Sequence, residues 1–261
     1  TVEASILRGT LSRVLSDTSK ANLTFHSSSF EKMYQNLYAS GFDGTLVTMD
    51  GYLDPTERDK TIVSGNIVNE IIMGTTKHNL LIGAEIIDTE NNNLRYDTFW
   101  STTSDDNEVF NISRPMDFTV NSNGVATGVD FITSLKSKTQ SEISVTSIYI
   151  QDQIDVTNNI KVMLGGRHDN FDITVTDIKN GTAENRKDSV FSPRAGLVFK
   201  PNDGISLYWS YSKSFLPRSG EQYKSLSASS ARLDPDVYES SEIGLKYKVS
   251  PLLSMSLASF S

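Results

Sequence analysis

Two groups of aromatic residues are the side chains of this sequence best suited to contact a flat ligand. The candidates are Tyr96, Phe99 and Trp100 in one group, and Phe215, Arg218 and Tyr223 in the other. Aromatic faces contact planar groups or cations, and an arginine pairs with negative charge. The alternative, that these are ordinary loop or membrane-girdle residues, stays open. Period counting also places Phe215 on the apolar face of its strand.

Residues for catalysis or metal binding form no recognisable pattern. The three histidines lie far apart, and no H-E-x-x-H, G-x-S-x-G, Walker or G-x-G-x-x-G motif occurs. Carboxylates of the kind that calcium prefers occur at Asp105, Asp106 and Glu108. Their spacing matches no known calcium loop, so an acidic loop tip is the simpler interpretation. We expect no catalytic residue, no metal site and no cofactor, and therefore not an enzyme.

The elements that position these residues show a period of two. In Gly204–Leu216, apolar Leu207, Trp209 and Tyr211 alternate with serines and a tyrosine, and Ser241–Val249 repeats the pattern. Side chains of a strand alternate between faces, so each segment has one apolar and one polar face. The same pattern marks about ten strands along the chain.

The composition restricts the class of protein. Of the 261 residues only 37% are hydrophobic, the mean hydropathy is -0.30, and cysteine is absent. No apolar run approaches the roughly 18 residues of a membrane-spanning helix. The net charge of -8 argues against a nucleic-acid partner. The first residues lack the basic and apolar regions of a signal peptide.

Short and long connections alternate between the predicted strands. The short ones contain turn-forming residues. The predicted long loops are Ala39–Glu57, Asn91–Lys138, Thr176–Lys187 and Pro217–Asp236. Short turns on one side and long loops on the other are typical of outer-membrane barrels. The sequence therefore predicts an all-β fold, a partial antiparallel up-and-down transmembrane β-barrel. Aromatic residues expected at a membrane girdle are Tyr34, Tyr38, Trp209, Tyr211 and Phe215.

Four motifs stand out in the second half of the sequence. They are SIYIQDQIDVTNNIKVMLGGRHDNFD (Ser147–Asp172), FSPRAGLVFKP (Phe191–Pro201), LYWSYSKSFLP (Leu207–Pro217) and VYESSEIGLKYK (Val237–Lys248). In composition, order and spacing they resemble the motifs of one family, the TonB-dependent siderophore receptors. The first half is similar only in outline, at Asp50–Asp59 and Leu80–Asp88.

The resemblance implies a barrel of roughly 22 strands around a plug. Residues 1–261 would then be a partial barrel domain without the plug and the closing C-terminal strands. The implied function is energy-coupled uptake of ferric siderophores in the bacterial outer membrane. The implied partners are a ferric siderophore, the TonB energy-transducing complex acting through the plug, and outer-membrane lipid.

Several polar residues are predicted to face the lumen, where they are expected to pair with each other or with a plug rather than to bind a ligand. They are Gln151, Gln153, Arg167, Asp169, Arg194, Glu242 and Lys246. Three alternatives stay open: a passive porin, a receptor of the same family for cobalamin, haem or a sugar, and a soluble adhesin. The exposed row of Leu207, Trp209 and Tyr211 argues against the last.

Overall fold

A computed structural model describes residues 1–217, 226–227 and 232–261 of the chain. These residues form one antiparallel sheet. Its strands are β1 (Val2–Ser16), β2 (Ser19–Phe42), β3 (Leu46–Met73), β4 (Thr76–Trp100), β5 (Asn107–Asn111), β6 (Val129–Asp155), β7 (Ile160–Asp177), β8 (Thr182–Asn202), β9 (Ile205–Leu216), β10 (Asp236–Ser250) and β11 (Leu253–Phe260).

The strands follow an up-and-down order. Each strand from β1 to β11 lies beside its neighbours in sequence, except that the short β5 pairs with β3 and leaves β4 beside β6. All pairs are antiparallel, and β1 and β11 are the two edges of the sheet. The predicted all-β class and partial up-and-down barrel architecture are confirmed.

At one end of the sheet, called the turn end here, all connections are short. They comprise residues 17–18, 74–75, 156–159, 203–204 and 251–252. Gly74 adopts a φ of 61°, a left-handed conformation that glycine tolerates best. The predicted short connections are therefore confirmed, with bounds that differ from the predicted ones by up to three residues.

At the opposite end, the loop end, two of the four predicted long loops are wrong. Most of Ala39–Glu57 belongs to β2 and β3, which meet in a tight turn at residues 43–45. The Asp43 carboxylate accepts hydrogen bonds from the Thr45 and Leu46 amides at 2.8 and 2.7 Å. Most of Thr176–Lys187 likewise belongs to β7 and β8. Backbone pairing continues there although the alternation of apolar and polar residues fades.

The strands are longer than a membrane requires. β3 has 28 residues, β4 has 25 and β6 has 27, whereas about 9–11 tilted residues cross a bilayer. Each of these strands thus extends far beyond the length needed for crossing. Among the described residues no helix is long and apolar enough to cross a membrane.

The two faces of the sheet differ in chemistry. On the apolar face, exposed large side chains from neighbouring strands lie side by side, as Ile67, Ile82 and Ile150 do. The row extends from β2 to β10 through Leu23, Val63, Ile86, Ile148, Leu197, Leu207, Trp209 and Ile243. The alternate positions form the polar face, where Asn22 Nδ2 donates to Asn66 Oδ1 at 2.9 Å.

The third predicted long loop, Asn91–Lys138, is partly ordered as strand. β4 continues to Trp100, β5 pairs with β3, and β6 begins at Val129. Buried Met49, Trp100 and Phe110 form a hydrophobic cluster with Phe118 packed against it, called the outer cluster. Met49 in β3 and Trp100 in β4 lie at the alternate positions whose side chains belong to the apolar face. The loop between β4 and β6 therefore covers an extension of that face.

A second hydrophobic cluster lies on the polar face. Ile143, Val145, Ile173 and Val175 are buried there, and Leu226 from the last loop packs against them. This contact places part of the segment between β9 and β10 over the polar face near the loop end.

Candidate functional site

Three tyrosines and an arginine meet on the polar face near the loop end. Tyr52 lies 5.9 Å from Tyr34 and 6.1 Å from Tyr38, measured between ring centroids. The Arg95 guanidinium carbon lies 3.9 Å from the centre of the Tyr52 ring. We call Tyr34, Tyr38, Tyr52 and Arg95 the tyrosine patch. Tyr34 and Tyr38 remain 47% and 40% exposed, so their rings are accessible to a ligand.

The register of three long strands builds this patch. Tyr34 pairs with Asp54 and Tyr38 pairs with Asp50 across β2 and β3, while Tyr52 pairs with Asp97 of β4. The tyrosines occupy even positions of β2 and β3, as do Asn22 and Asn66 of the polar face. The two tyrosines of β2 were predicted to belong to a membrane girdle. That interpretation is wrong because the girdle requires the apolar face, which Trp209 and Tyr211 do occupy.

Carboxylates surround the patch. The Tyr38 hydroxyl donates to Asp50 Oδ2 at 3.0 Å, Arg95 Nε lies 3.7 Å from Asp54 Oδ1, and Lys136 Nζ lies 2.9 Å from Asp97 Oδ2. The hydrogen bond to Asp50, with burial and the charge of that carboxylate, raises the pKa of the Tyr38 phenol. The phenol is therefore a neutral donor. Cation–π and ion-pair contacts together orient Arg95.

The residues predicted to bind a ligand have separate environments. Tyr96 and Phe99 are half-buried, and Trp100 is completely buried in the outer cluster, 5.2 Å from Phe110 between ring centroids. Trp100 thus lacks the accessible ring face that ligand contact requires. Phe215 packs near Lys213, whose Nζ lies 5.4 Å from the ring centre. Arg218 and Tyr223 lie outside the described residues.

The predicted interior residues share the polar face, and Arg167 is the centre of their main network. Its guanidinium contacts Glu85 at 2.8 Å and Asp169 at 2.7 Å, and it donates to Ser147 Oγ at 2.6 Å. The Arg167 side chain is 26% exposed, and the side chains of Glu85 and Asp169 are 22% and 10% exposed. Arg167 and Asp169 therefore pair with each other, as one of the two expected roles requires.

The other interior residues form smaller groups along the same face. Arg194 Nη1 lies 3.5 Å from Gln151 Oε1, at the limit of a hydrogen bond. The Tyr208 hydroxyl donates to Glu242, and Lys246 Nζ lies 5.5 Å from the centre of the Tyr208 ring. Gln153 occupies the next polar-face position along β6. These contacts are local pairs rather than one continuous ladder.

A family model described as TonB dependent receptor-like, beta-barrel matches residues 7–261 of the chain. The chain belongs to this family. The homologues of the chain within this TonB-dependent receptor family are outer-membrane proteins. The apolar face is accordingly the lipid-facing surface of an outer-membrane barrel, and the polar face lines its interior.

Individual relatives support the family at lower identity. The probable TonB-dependent siderophore receptor PiuA of Acinetobacter baumannii is 30% identical over 129 residues, which are 45% of this chain and 17% of the relative. The ferrichrome outer membrane transporter/phage receptor of Escherichia coli is 28% identical over 159 residues, 60% of this chain and 20% of the relative. The chain thus spans about a fifth of the length of these curated relatives.

A solved structure has the same fold. The crystal structure of the siderophore receptor PiuA from Acinetobacter baumannii superposes with a TM-score of 0.80 at 21% identity. The match covers 99% of this chain and 40% of that one. Family members are receptors and transporters.

Replacing Arg167 with methionine is expected to lower the free energy of unfolding of the intact receptor by about 2 kcal/mol. Exposed ion pairs contribute about 0–1 kcal/mol and breaking a buried pair costs about 3–5 kcal/mol, and this half-buried network lies between them. The loss arises because Glu85 and Asp169 would keep their charges without the guanidinium. Denaturant unfolding in detergent micelles measures the change.

The control for Arg167 is Lys161→Met, which removes an ion pair to Asp155 whose lysine side chain is 48% exposed. That substitution should change stability by less than about 1 kcal/mol. Adding Glu85→Gln and Asp169→Asn to Arg167→Met should restore most of the loss. Equal effects of the Arg167 and Lys161 substitutions would contradict the proposed network.

Glu108 is expected to make the outer cluster sensitive to acid. Its carboxylate is 4% exposed and accepts hydrogen bonds from the Thr102 hydroxyl, the Val109 amide at 2.8 Å and the Asn121 side chain at 3.3 Å. Burial alone would raise the pKa of Glu108, but the hydrogen bonds outweigh it and lower the pKa. The Glu108 carboxylate thus accepts hydrogen bonds from within the loop. Among the described residues, no group of three or more histidine or carboxylate side chains is placed to bind a metal ion.

The pKa of Glu108 is lower in the folded protein than in the unfolded chain, so its ionised carboxylate stabilises the folded state. This stabilisation is complete at pH values above the unfolded-state pKa, and it is lost as the pH falls through the folded-state pKa. We therefore expect the loop at residues 101–128 to become protease-sensitive in acid. Glu108→Gln should flatten this pH dependence, whereas Asp105→Asn at an exposed neighbour should keep it. Proteolysis rates from neutral to acid pH provide the measurement, and identical profiles for Glu108→Gln and wild type would reject the assignment.

Proposed function

We propose that the chain is barrel sequence of an outer-membrane receptor that takes up ferric siderophores with energy from TonB. The match to the receptor barrel over residues 7–261 is the observation that carries this proposal. Relatives are named as receptors for siderophores and ferrioxamine B and as a transporter for ferrichrome. The tyrosine patch adds a surface on which such a ligand can rest.

The position of the patch suits capture from outside. It lies near the loop end, which corresponds to the extracellular side in outer-membrane barrels. Exposed aromatic rings offer apolar contact area, while the Arg95 guanidinium and polar strand residues supply hydrogen bonds. A chelate entering the mouth of the barrel would meet Tyr34 and Tyr38 before the Arg167 network.

Transport requires parts beyond this sheet. β1 and β11 each present an unpaired edge within the chain, and lipid cannot satisfy exposed backbone groups. We propose that further strands close a barrel of roughly 22 strands around a plug, through which the TonB complex acts. The protein would use no cofactor and catalyse no reaction, and iron would be its cargo.

Uptake of radioactively labelled ligands by cells tests the proposal. The intact gene is expressed in a host that lacks its own siderophore receptors, and ferric chelates, haem, cobalamin and a maltodextrin are supplied separately. Saturable iron uptake that disappears when TonB is deleted is the expected result. Retention of labelled ligand is a better binding measurement than quenching of tryptophan fluorescence. Neither tryptophan would contact the ligand, because Trp100 is buried and Trp209 lies on the lipid-facing surface.

Other outcomes would change the assignment. Transport of cobalamin, haem or sugar alone would keep the receptor and replace its ligand. Uptake without TonB, together with open-channel conductance in a planar bilayer, would indicate a passive porin.

A further inference from the structure

We propose that the tyrosine patch selects ferric chelates without net negative charge, of the trihydroxamate type, over tris-catecholate trianions. This inference rests on the proposed function and assigns a ligand class to the same site. The two classes differ in charge because hydroxamates bind iron as monoanions and catecholates as dianions. A ferric trihydroxamate core is therefore neutral, whereas a ferric tris-catecholate is a trianion.

Negative charge predominates around the patch. Asp50, Asp54 and Asp97 pair with its tyrosines across the strands or contact Arg95, so three carboxylates face an incoming ligand. The accompanying cations are Arg95 and Lys136. Like charges brought together at a binding surface oppose association, and the opposition grows with the charge of the ligand.

Both cations already have partners. Arg95 lies against the Tyr52 ring at 3.9 Å and near Asp54 at 3.7 Å, and Lys136 contacts Asp97 at 2.9 Å. An anionic chelate would have to compete with these carboxylates for either cation. A neutral chelate needs no such exchange, because its flat groups can rest on the exposed rings of Tyr34 and Tyr38.

Two more charged residues lie near the patch and offset each other. Lys32 precedes Tyr34 by two positions on the same face of β2, roughly 7 Å along the strand. Asp106 lies close enough to raise the pKa of both Tyr38 and Lys136. The hydrogen bond to Asp97 and the charges of Asp97, Asp106 and Asp50 all raise the pKa of Lys136, which agrees with a negative potential over the patch.

Equilibrium binding to the intact receptor in detergent tests this selectivity. The probes are ferrichrome, a neutral trihydroxamate, and ferric enterobactin, a tris-catecholate trianion, both carrying radioactive iron. At low ionic strength we expect ferrichrome to bind at least about tenfold more tightly. Added salt should narrow the difference by strengthening binding of the trianion, since mobile ions screen exposed charges.

A pair of substitutions tests whether the named carboxylates are responsible. Asp50→Asn with Asp97→Asn removes two negative charges and should raise the affinity for ferric enterobactin about fivefold at low salt. The affinity for ferrichrome should change by less than about twofold, since a neutral ligand experiences little of that potential. The control is Asp59→Asn, an exposed carboxylate on the opposite face of β3, which should alter neither affinity.

The outcomes separate the two proposals. Equal or tighter binding of ferric enterobactin by the wild-type receptor would overturn the charge selectivity and leave the siderophore receptor intact. A ferrichrome preference that persists unchanged in the double variant and in high salt would also overturn it. Failure to bind any ferric chelate, with binding of cobalamin or sugar instead, would overturn both proposals.

Discussion

We expect Phe110→Ala to lower the stability of the outer cluster by about 4 kcal/mol, since truncating a buried phenylalanine typically costs about 3–5 kcal/mol. Phe110 has no exposed surface, and its ring lies 5.2 Å from Trp100 and 5.5 Å from Phe118 between centroids. Alanine would leave a cavity at the point where β5 packs against β3 and β4. The loop of residues 101–128, which includes β5, should therefore detach from the sheet while the rest of the barrel stays folded.

Hydrogen exchange and limited proteolysis of the intact receptor measure this detachment. Amides of β5 and of residues 112–128 should lose protection, whereas amides of the sheet near the turn end should keep theirs. Ile112→Ala provides a matched control, because Ile112 is two residues away and 54% exposed. Unchanged loop protection in Phe110→Ala would show that the cluster does not anchor the loop.

The sequence predicted the membrane-spanning part of the fold well. Leu207, Trp209 and Tyr211 alternate with polar residues because lipid contacts one face and water the other, and this contrast creates a period of two. Beyond the membrane the contrast disappears. Asp54 and Thr56 on one face of β3 and Glu57 on the other are all polar, so the sequence predicts loops where the strands in fact continue.

The site was harder to predict than the fold. Tyr96, Phe99 and Trp100 are close in sequence, but adjacent strand residues point to opposite faces, and Trp100 ends in a hydrophobic cluster. Tyr34 and Tyr52 are far apart in sequence and become neighbours only through the register of β2 and β3. Such a register depends on the tight turn at residues 43–45, which the period-two pattern does not show.

The network around Arg167 was accessible to prediction for a related reason. Arg167 and Asp169 are separated by one residue, so any strand places them on the same face. Their polar character also identified that face as the interior. Glu85, the other carboxylate of the network, belongs to β4 and was not foreseen, because its proximity depends on β4 pairing with β6 across the long loop.

We expect Gly51→Ala to destabilise the loop end of the barrel by about 3 kcal/mol, at the upper end of the typical cost of overpacking. A Cβ on Gly51 would lie 2.6 Å from the Asn36 carbonyl oxygen, 2.7 Å from a Leu37 methyl and 2.8 Å from the Thr98 methyl. The carbonyl belongs to the backbone of β2, so relief requires β2 and β3 to separate. Because Asp50 and Tyr52 flank Gly51, the tyrosine patch should be distorted and ligand affinity should fall too.

Gly65→Ala is the matched control on the same strand. There the added Cβ would have its nearest neighbours at 3.9 Å, an ordinary contact distance. Alanine in a strand is less costly than glycine in backbone entropy, so this variant should be neutral or more stable by roughly 0.5 kcal/mol. Denaturant unfolding measures the stability of both variants, and ferric-chelate binding measures their ligand affinity. A Gly51→Ala receptor as stable as Gly65→Ala would mean that β2 and β3 do not approach closely at this position, and the register that builds the tyrosine patch would have to be reconsidered.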